Sequence, residues 1–507
     1  MKITHTRSLS NCRQAIVYLL LWISFPDFLA AQNDSRLPGA DLGNGTFLNP
    51  VLKGDFGDPT VVRDGKDYYM THHSPNAPSQ LLWHSQDLVN WEPMGFALPQ
   101  DLGFIWAADL IKYKDKFYMY LPVPDRNTNY VITADHPAGP WSQPIDLKVS
   151  GIDPGHMVTP DGKRFLHLDN GYIVSLSDNG TEVTSEKKKV YDGWQYPKEW
   201  ITECFCLESP KVTYRNGYYY LTVAQGGTAG PPTSHMVVSA RSRSPLGPWE
   251  NSPYNPIIRN ANRNAKWASP GHGTLVDDID GNWWMMLHGY EQAARTLGRH
   301  SLLVPVAWTA DGWFKVPDSV DLAKPLRKPP GRKVQGHMEL SENFAGGKLG
   351  VQWKVDAATG RRITVANNQL NMKGTGDSPG NSPSIFFYPM NESFEVSVAV
   401  NPSDSSAGGL IFLDNEHFTG LEVSNGFVWQ INQEGRKQKL AACAPASTRI
   451  KLKYDYEDVI FYYSVNGKSW EKADLSVNIS TWDVMKVGLF ATGTGHVSYR
   501  SLVYKAL

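Results

Sequence analysis

The sequence is poor in cysteine, balanced in charge and almost without helical periodicity. Four cysteines occur in 507 residues. Cys12 lies before an N-terminal apolar run, so removal of that segment leaves Cys204, Cys206 and Cys443. An odd number argues against a disulfide framework. Cys204 and Cys206 would point to opposite faces of a shared strand, and no His/Cys cluster accompanies them. The expectation is buried thiols, neither bridged nor metal-bound. A formal net charge of −1 leaves no basic footprint for nucleic acid and no polybasic membrane patch. Scarce 3.6-residue periodicity, with Gly and Pro punctuation every ~10 residues, points to an all-β chain.

Only one apolar run invites a targeting reading. Lys2, Arg7 and Arg13 precede Ala15–Ile23, and small Ala30 and Ala31 follow before Gln32. The run is too short to span a bilayer. Residues 1–31 therefore read as a signal peptide rather than a retained anchor, and 32–47 as a leader. Export to the periplasm or beyond follows, with no membrane span after cleavage.

A length of 507 residues suggests two or three domains, and 41% hydrophobic content supplies a core. Trp and Tyr are abundant, 17 and 23. The organising stretch is Gly57–Met70, in which Asp58-Pro59 leads a β-branched run, a turn at Arg63–Lys66 and an aromatic strand, Tyr68–Met70. The pattern recurs. Trp106–Leu110 leads to Phe117–Met119, Gly151–Pro154 to Phe165-Leu166, Glu208–Pro210 to Tyr218–Leu221, and Gly271–Gly273 to Trp283–Met285. Strands roughly 50 residues apart suit the blades of a five-bladed propeller. Outer units repeat too, at Trp91, Trp141, Trp249 and Trp313.

In a propeller the first strand of each blade lines the axis. Asp58, Asp109, Asp153, Glu208 and His272 would then meet around one cavity. Packing alone would not gather carboxylates there, because they repel and burial favours their neutral forms. An Asp before Pro is commonly a turn former, but equivalent positions on several blades favour a catalytic cluster. Hydrolysing a glycosidic bond with inversion needs such a set: one ionised carboxylate to activate water and one protonated carboxyl to serve the leaving oxygen.

The propeller is expected over 48–322. Basic, proline-rich Lys324–Gly331 marks a stiff linker, 323–336. Beyond it, alternating stretches at 394–400, 409–413, 450–454 and 487–491 predict a β-sandwich accessory domain, 337–507, of jelly-roll or concanavalin-like type. Its aromatics Trp353, Phe387, Tyr388 and Trp429 are expected in the core.

These ordered motifs resemble glycoside hydrolase family 43, five-bladed arabinofuranosidases, xylosidases and endo-arabinanases, over about residues 48–320. The resemblance implies Asp58 as general base, Glu208 as general acid and Asp153 as the group that tunes and orients the acid. Ser209 stands where the family commonly has Gly or Ala, and Ala108 replaces a proline before Asp109. Trp106, Asp109 and Arg299 are implied in substrate binding. His272 resembles an axial histidine that faces a calcium or sodium ion through water; no redox cofactor is implied. The expected activity is inverting, exo-acting removal of terminal α-L-arabinofuranosyl or β-D-xylosyl units from plant polysaccharide fragments. A retaining invertase-type fructosidase would want Asn-Asp-Pro-Asn and Arg-Asp-Pro, where this chain has Gly57–Thr60 and Ile152–Pro154. A non-catalytic carbohydrate-binding propeller would lack one of the three acids, and all three are present.

Overall fold

The computed structural model describes residues 39–507 apart from 433, 435, 436 and 480. The expected signal peptide lies outside the described residues. Among those described, no helix is long and apolar enough to cross a membrane.

Five antiparallel sheets follow one another, each a meander. Blade one comprises Thr60–Asp64, Asp67–Thr71, Leu81–Ser85 and Glu92–Phe96; blade two comprises Asp109–Tyr113, Lys116–Val123, Thr128–Ala134 and Ile145–Asp146. Blade three runs Gly155–Val158, Arg164–His167, Tyr172–Leu176 and Lys188–Lys189. Blade four runs Glu208–Arg215, Tyr218–Gln225, Met236–Ser242 and Glu250–Asn251, with Ile258–Arg259 added on its third strand. Blade five runs Trp267–Asp277, Trp283–Glu291, Arg299–Trp308 and Phe314–Lys315. The aromatic second strands are buried along almost their whole length, because both faces are covered by neighbouring blades.

First strands of successive blades contact one another around the ring, and that of blade five returns to blade one. At that seam Thr274 Oγ1 donates to the Pro59 carbonyl at 3.0 Å. Arg63 pairs with Asp277 at 3.2 Å. The Val51 N–H donates to the Ser301 carbonyl at 3.0 Å. This last contact joins the segment before blade one to blade five, so Val51 and Leu52 lie outside the first blade.

The basic segment is not a free spacer either. Leu326–Arg327 pairs with Thr46–Phe47, and Lys328 Nζ sits 2.7 Å from Asp41 and 2.8 Å from Asp87. The charge of Lys328 is thus neutralised by acids on and before blade one.

The remainder forms a seven-stranded sheet packed on a six-stranded sheet. Strands Ser393–Pro402, Ser406–Leu413, Arg449–Asp455 and Lys486–Gly493 contain the four alternating stretches. The first alternates buried and part-buried residues along its length, as period-two patterning requires. One apolar cluster runs from Phe47, Trp83 and Leu297 of the propeller region to Trp353, Phe387 and Leu410 of the sandwich. Backbone bonds cross the same boundary, Val355 N–H to Ala77 O at 2.7 Å and Met485 N–H to Thr296 O at 2.9 Å. The sandwich is therefore fixed against blades one and five.

Candidate active site

Several blades turn into their first strands through a non-glycine residue in the left-handed region: Asp58 (φ 55°), Asp153 (φ 52°), Ser209 (φ 54°) and His272 (φ 55°). That conformation costs about 1–2 kcal/mol at a non-glycine residue, and such strain gathers at functional sites. In blades four and five the ladder also slips, between Glu208 and Lys211 and on both sides of Gly271. Bulges of this kind re-aim side chains. Here Asp58, Asp153, Glu208 and His272 turn into one cavity of about 720 Å³, which Trp106 and Arg299 also line.

Asp109 is the exception and corrects the expectation of substrate binding. It is buried and does not line the cavity. Lys211 Nζ lies 2.7 Å from its Oδ1, and the His156 N–H donates to Oδ2 at 2.7 Å. Lys211 also donates to the carbonyls of Ala108 and Pro154. The Asp109–Lys211 pair thus ties blades two, three and four together.

His272 stands among the acids. Its Nδ1 is 3.5 Å from Asp58, and its Nε2 is 3.3 Å from Asp153 and 3.7 Å from Glu208. Burial disfavours the imidazolium, but the three carboxylates outweigh it and raise the pKa to about 9. Asp58 is also bound by Arg299 Nη1 at 2.6 Å and His288 Nδ1 at 2.8 Å. Burial opposes its charge, yet Arg299, His272 and His288 hold it well below the usual carboxylate range. Asp58 is therefore ionised.

Arg299 was expected on sugar hydroxyls, and the fold commits one face of its guanidinium to Asp58. Gly57 permits the approach, because a Cβ there would lie 2.8 Å from Arg299 Cβ and Nε.

Asp153 and Glu208 share one negative charge. Burial pushes Asp153 up to about 7, the charges of Glu208 and Asp58 add to that, and His272 opposes it. Burial also raises Glu208, which would be lowered only so far as His235 and His272 turn N–H groups toward it. The two carboxyls titrate as one unit holding a proton near neutrality. Ser209 N–H donates to Asp153 Oδ2 at 3.2 Å.

Trp106 is 41% exposed and stands edge-on to Phe104, centroids 6.5 Å apart. Two aromatic faces are thus free for a sugar ring.

The calcium or sodium ion expected at His272 does not fit. Both ring nitrogens face carboxylates, leaving neither for an ion's water. The nearby donors Glu208, His235 and His272, within 4.8 Å of one another, include two imidazoles, whereas calcium takes oxygen ligands.

Other site residues escaped the sequence reading. His235 and His288 lie beneath the acids, wholly buried. The sandwich supplies a wall: Tyr388, Asn415, Asp483, Val484 and Lys486 line the same cavity. Tyr388 accepts from Asn76 Nδ2 at 2.6 Å, so it belongs to this boundary rather than the sandwich interior. Lys486 Nζ donates to Asn415 Oδ1 at 2.7 Å. No repeat marks these positions.

The cysteine reading is overturned as well. Cys204 and Cys206 form a disulfide. They lie in an irregular, half-buried segment rather than a strand, so their side chains need not diverge. Cys206 itself faces the cavity.

Ring, acids and walled cavity together define a propeller glycoside hydrolase carrying a β-sandwich. The chain belongs to glycosyl hydrolases family 43, whose model matches residues 47–314. A beta xylosidase C-terminal concanavalin A-like domain model matches 341–502. A non-reducing end alpha-L-arabinofuranosidase of Bacteroides ovatus is 27% identical, covering 96% of this chain and 97% of that protein. A beta-xylosidase of Bacillus subtilis is 25% identical, covering 88% and 95% respectively. The crystal structure of a family 43 protein from Bacillus licheniformis superposes with TM-score 0.81 at 25% identity, covering 91% of this chain and all of the other.

Proposed function

We propose that the protein is an inverting exo-glycosidase that removes terminal α-L-arabinofuranosyl or β-D-xylosyl units from plant cell-wall oligo- or polysaccharides. The convergence of Asp58, Asp153 and Glu208 on one sugar-sized cavity carries the reading. Asp58, ionised and oriented by Arg299 and His288, takes a proton from water as the water attacks the anomeric carbon. Glu208 gives its proton to the departing glycosidic oxygen. Asp153 stays ionised between the Ser209 N–H and His272, and its charge keeps the proton on Glu208. No electrons change hands, so the reaction needs no redox cofactor.

Exo action is supported by the wall from the sandwich, which closes one side of the cavity where an endo-acting cleft would continue. The named relatives motivate the choice of sugars. Export is supported by the signal-like N-terminus and by the disulfide, a bond that persists in oxidising compartments.

The test is hydrolysis of nitrophenyl α-L-arabinofuranoside and β-D-xyloside, with product anomers followed by NMR in the first minutes. Release of the inverted anomer from either substrate is expected. Retained configuration, or no turnover of either, would overturn the proposal.

A further inference from the structure

Two buried histidines link Asp58 to Glu208 behind the cavity wall. His288 Nδ1 is 2.8 Å from Asp58 Oδ1. His288 Nε2 is 3.3 Å from His235 Nδ1, and His235 Nε2 is 3.4 Å from Glu208 Oε1. The rings are stacked, centroids 5.2 Å apart and 25° between planes. Gly271 makes room for this, since a Cβ there would collide with the His235 ring.

Both rings are neutral. Burial drives His288 well below its usual value, and the charge of Arg299 adds to that. Burial also lowers His235, with His272 adding to it and Glu208 opposing. His272 faces both rings, centroids 5.3 Å from His288 and 5.8 Å from His235. A neutral imidazole carries one N–H and one lone pair, so three successive contacts cannot be assigned independently.

We propose that His288 and His235 form a tautomer lock that keeps Glu208 protonated while Asp58 is ionised. The Asp58 carboxylate requires a donor, so His288 bears its hydrogen on Nδ1. Its Nε2 then accepts from His235 Nδ1–H, and His235 turns a lone pair toward Glu208. Only a protonated carboxyl satisfies that lone pair. Among the described residues His235 Nε2 makes no hydrogen bond as it stands, and Glu208 Oε1, 3.4 Å away, is the carboxyl oxygen it faces. The Asp58 N–H also points at His288 Nδ1, at 3.2 Å, but the carboxylate is closer and charged, and the charge-assisted bond prevails. With no N–H from His235, the main pull on Glu208 toward ionisation disappears. His272 still faces Glu208, at 3.7 Å, though it stands nearer to Asp153. Both histidines are positioning residues, and the lock rests on the proposed roles of Asp58 and Glu208.

Ring-¹⁵N NMR of the full chain at neutral pH reads the tautomers directly. The lock requires protonated Nδ1 and bare Nε2 on both His235 and His288; a hydrogen on His235 Nε2 overturns it. A kinetic test uses His288→Phe, which frees His235 to turn N–H toward Glu208. The basic limb of kcat/KM for a poor leaving group should fall by about one pH unit, a tenfold change in the acid's ionisation. The acid limb should rise, because Asp58 loses a donor. With a dinitrophenyl leaving group, which needs no acid, the basic limb should not move. Equal loss on both substrates at every pH overturns the lock and leaves a packing role. Glu208→Gln is the control: if it also impairs both substrates alike, the acid assignment fails instead. Should His288→Phe not fold, the NMR measurement on the native chain still decides.

Discussion

Arg299 Nη1 lies 2.6 Å from Asp58 Oδ1, though 241 positions separate the two residues in the chain. The contact sets the ionisation of the proposed base. In Arg299→Met the carboxyl loses its strongest neighbouring positive charge, so its pKa rises. A base works above its pKa, and the acid limb of the pH–rate profile should therefore move to higher pH. kcat/KM on the acid side should fall about 10²-fold. An unmoved acid limb would dissociate Asp58 from that limb.

Removal of the proposed acid should cost least where no acid is needed. Glu208→Gln is expected to lower kcat about 10³-fold on a xylo- or arabino-oligosaccharide. A dinitrophenyl glycoside should lose far less. Asp58→Ala should lose activity on both, because attack by an activated water is common to both substrates whatever the leaving group. Circular dichroism and thermal melting keep misfolding separate from lost chemistry.

The sandwich wall should appear in binding rather than chemistry. Asn415 Nδ2 donates to Asp483 Oδ2 at 3.3 Å, and both line the cavity beside Lys486. Asp483→Ala should raise KM for an oligosaccharide about fivefold, the value of roughly one hydrogen bond, with kcat little changed. Steady-state kinetics on a disaccharide and a trisaccharide measure this. A change confined to melting temperature would remove Asp483 from substrate recognition.

Lys328 joins two acids across the seam between linker and blade one. In Lys328→Met the wholly buried Asp87 loses its cation, and breaking such a pair costs about 3–5 kcal/mol. Burial raises Asp41, but Lys328, Asn90 and the Gly43 N–H together lower it to about 2. A carboxylate with a depressed folded-state pKa stabilises above its unfolded pKa, near 4, and loses that contribution as pH falls through 2. Urea melts should show the variant's deficit at pH 7 and a smaller one at pH 2.

Alkylation followed by mass spectrometry should find Cys443 reactive in the denatured, unreduced protein. Cys204 and Cys206 should become reactive only after reduction.

The repeat made the blades legible in sequence because every blade solves the same packing problem with the same order: polar entry, turn and buried aromatic strand. Alternation likewise exposed four of the sandwich strands, and period two survives in the burial of Ser393–Pro402 and Arg449–Asp455. The entry positions named Asp58, Asp153, Glu208 and His272, but the same rule also named Asp109. Its blade enters without the left-handed turn, and Lys211 arrives from another blade to neutralise it. Local sequence carries no trace of a partner 102 residues away.

Chain order by itself determined the all-β character, the number of blades and three of the acids, because those follow from local periodicity and residue chemistry. Only the closed tertiary structure decided that Arg299 would grip Asp58, that His288 and His235 would meet beneath the acids, and that a distant sandwich would wall the cavity. Each of those is a long-range encounter fixed by ring closure and domain packing, and such encounters leave no period to read.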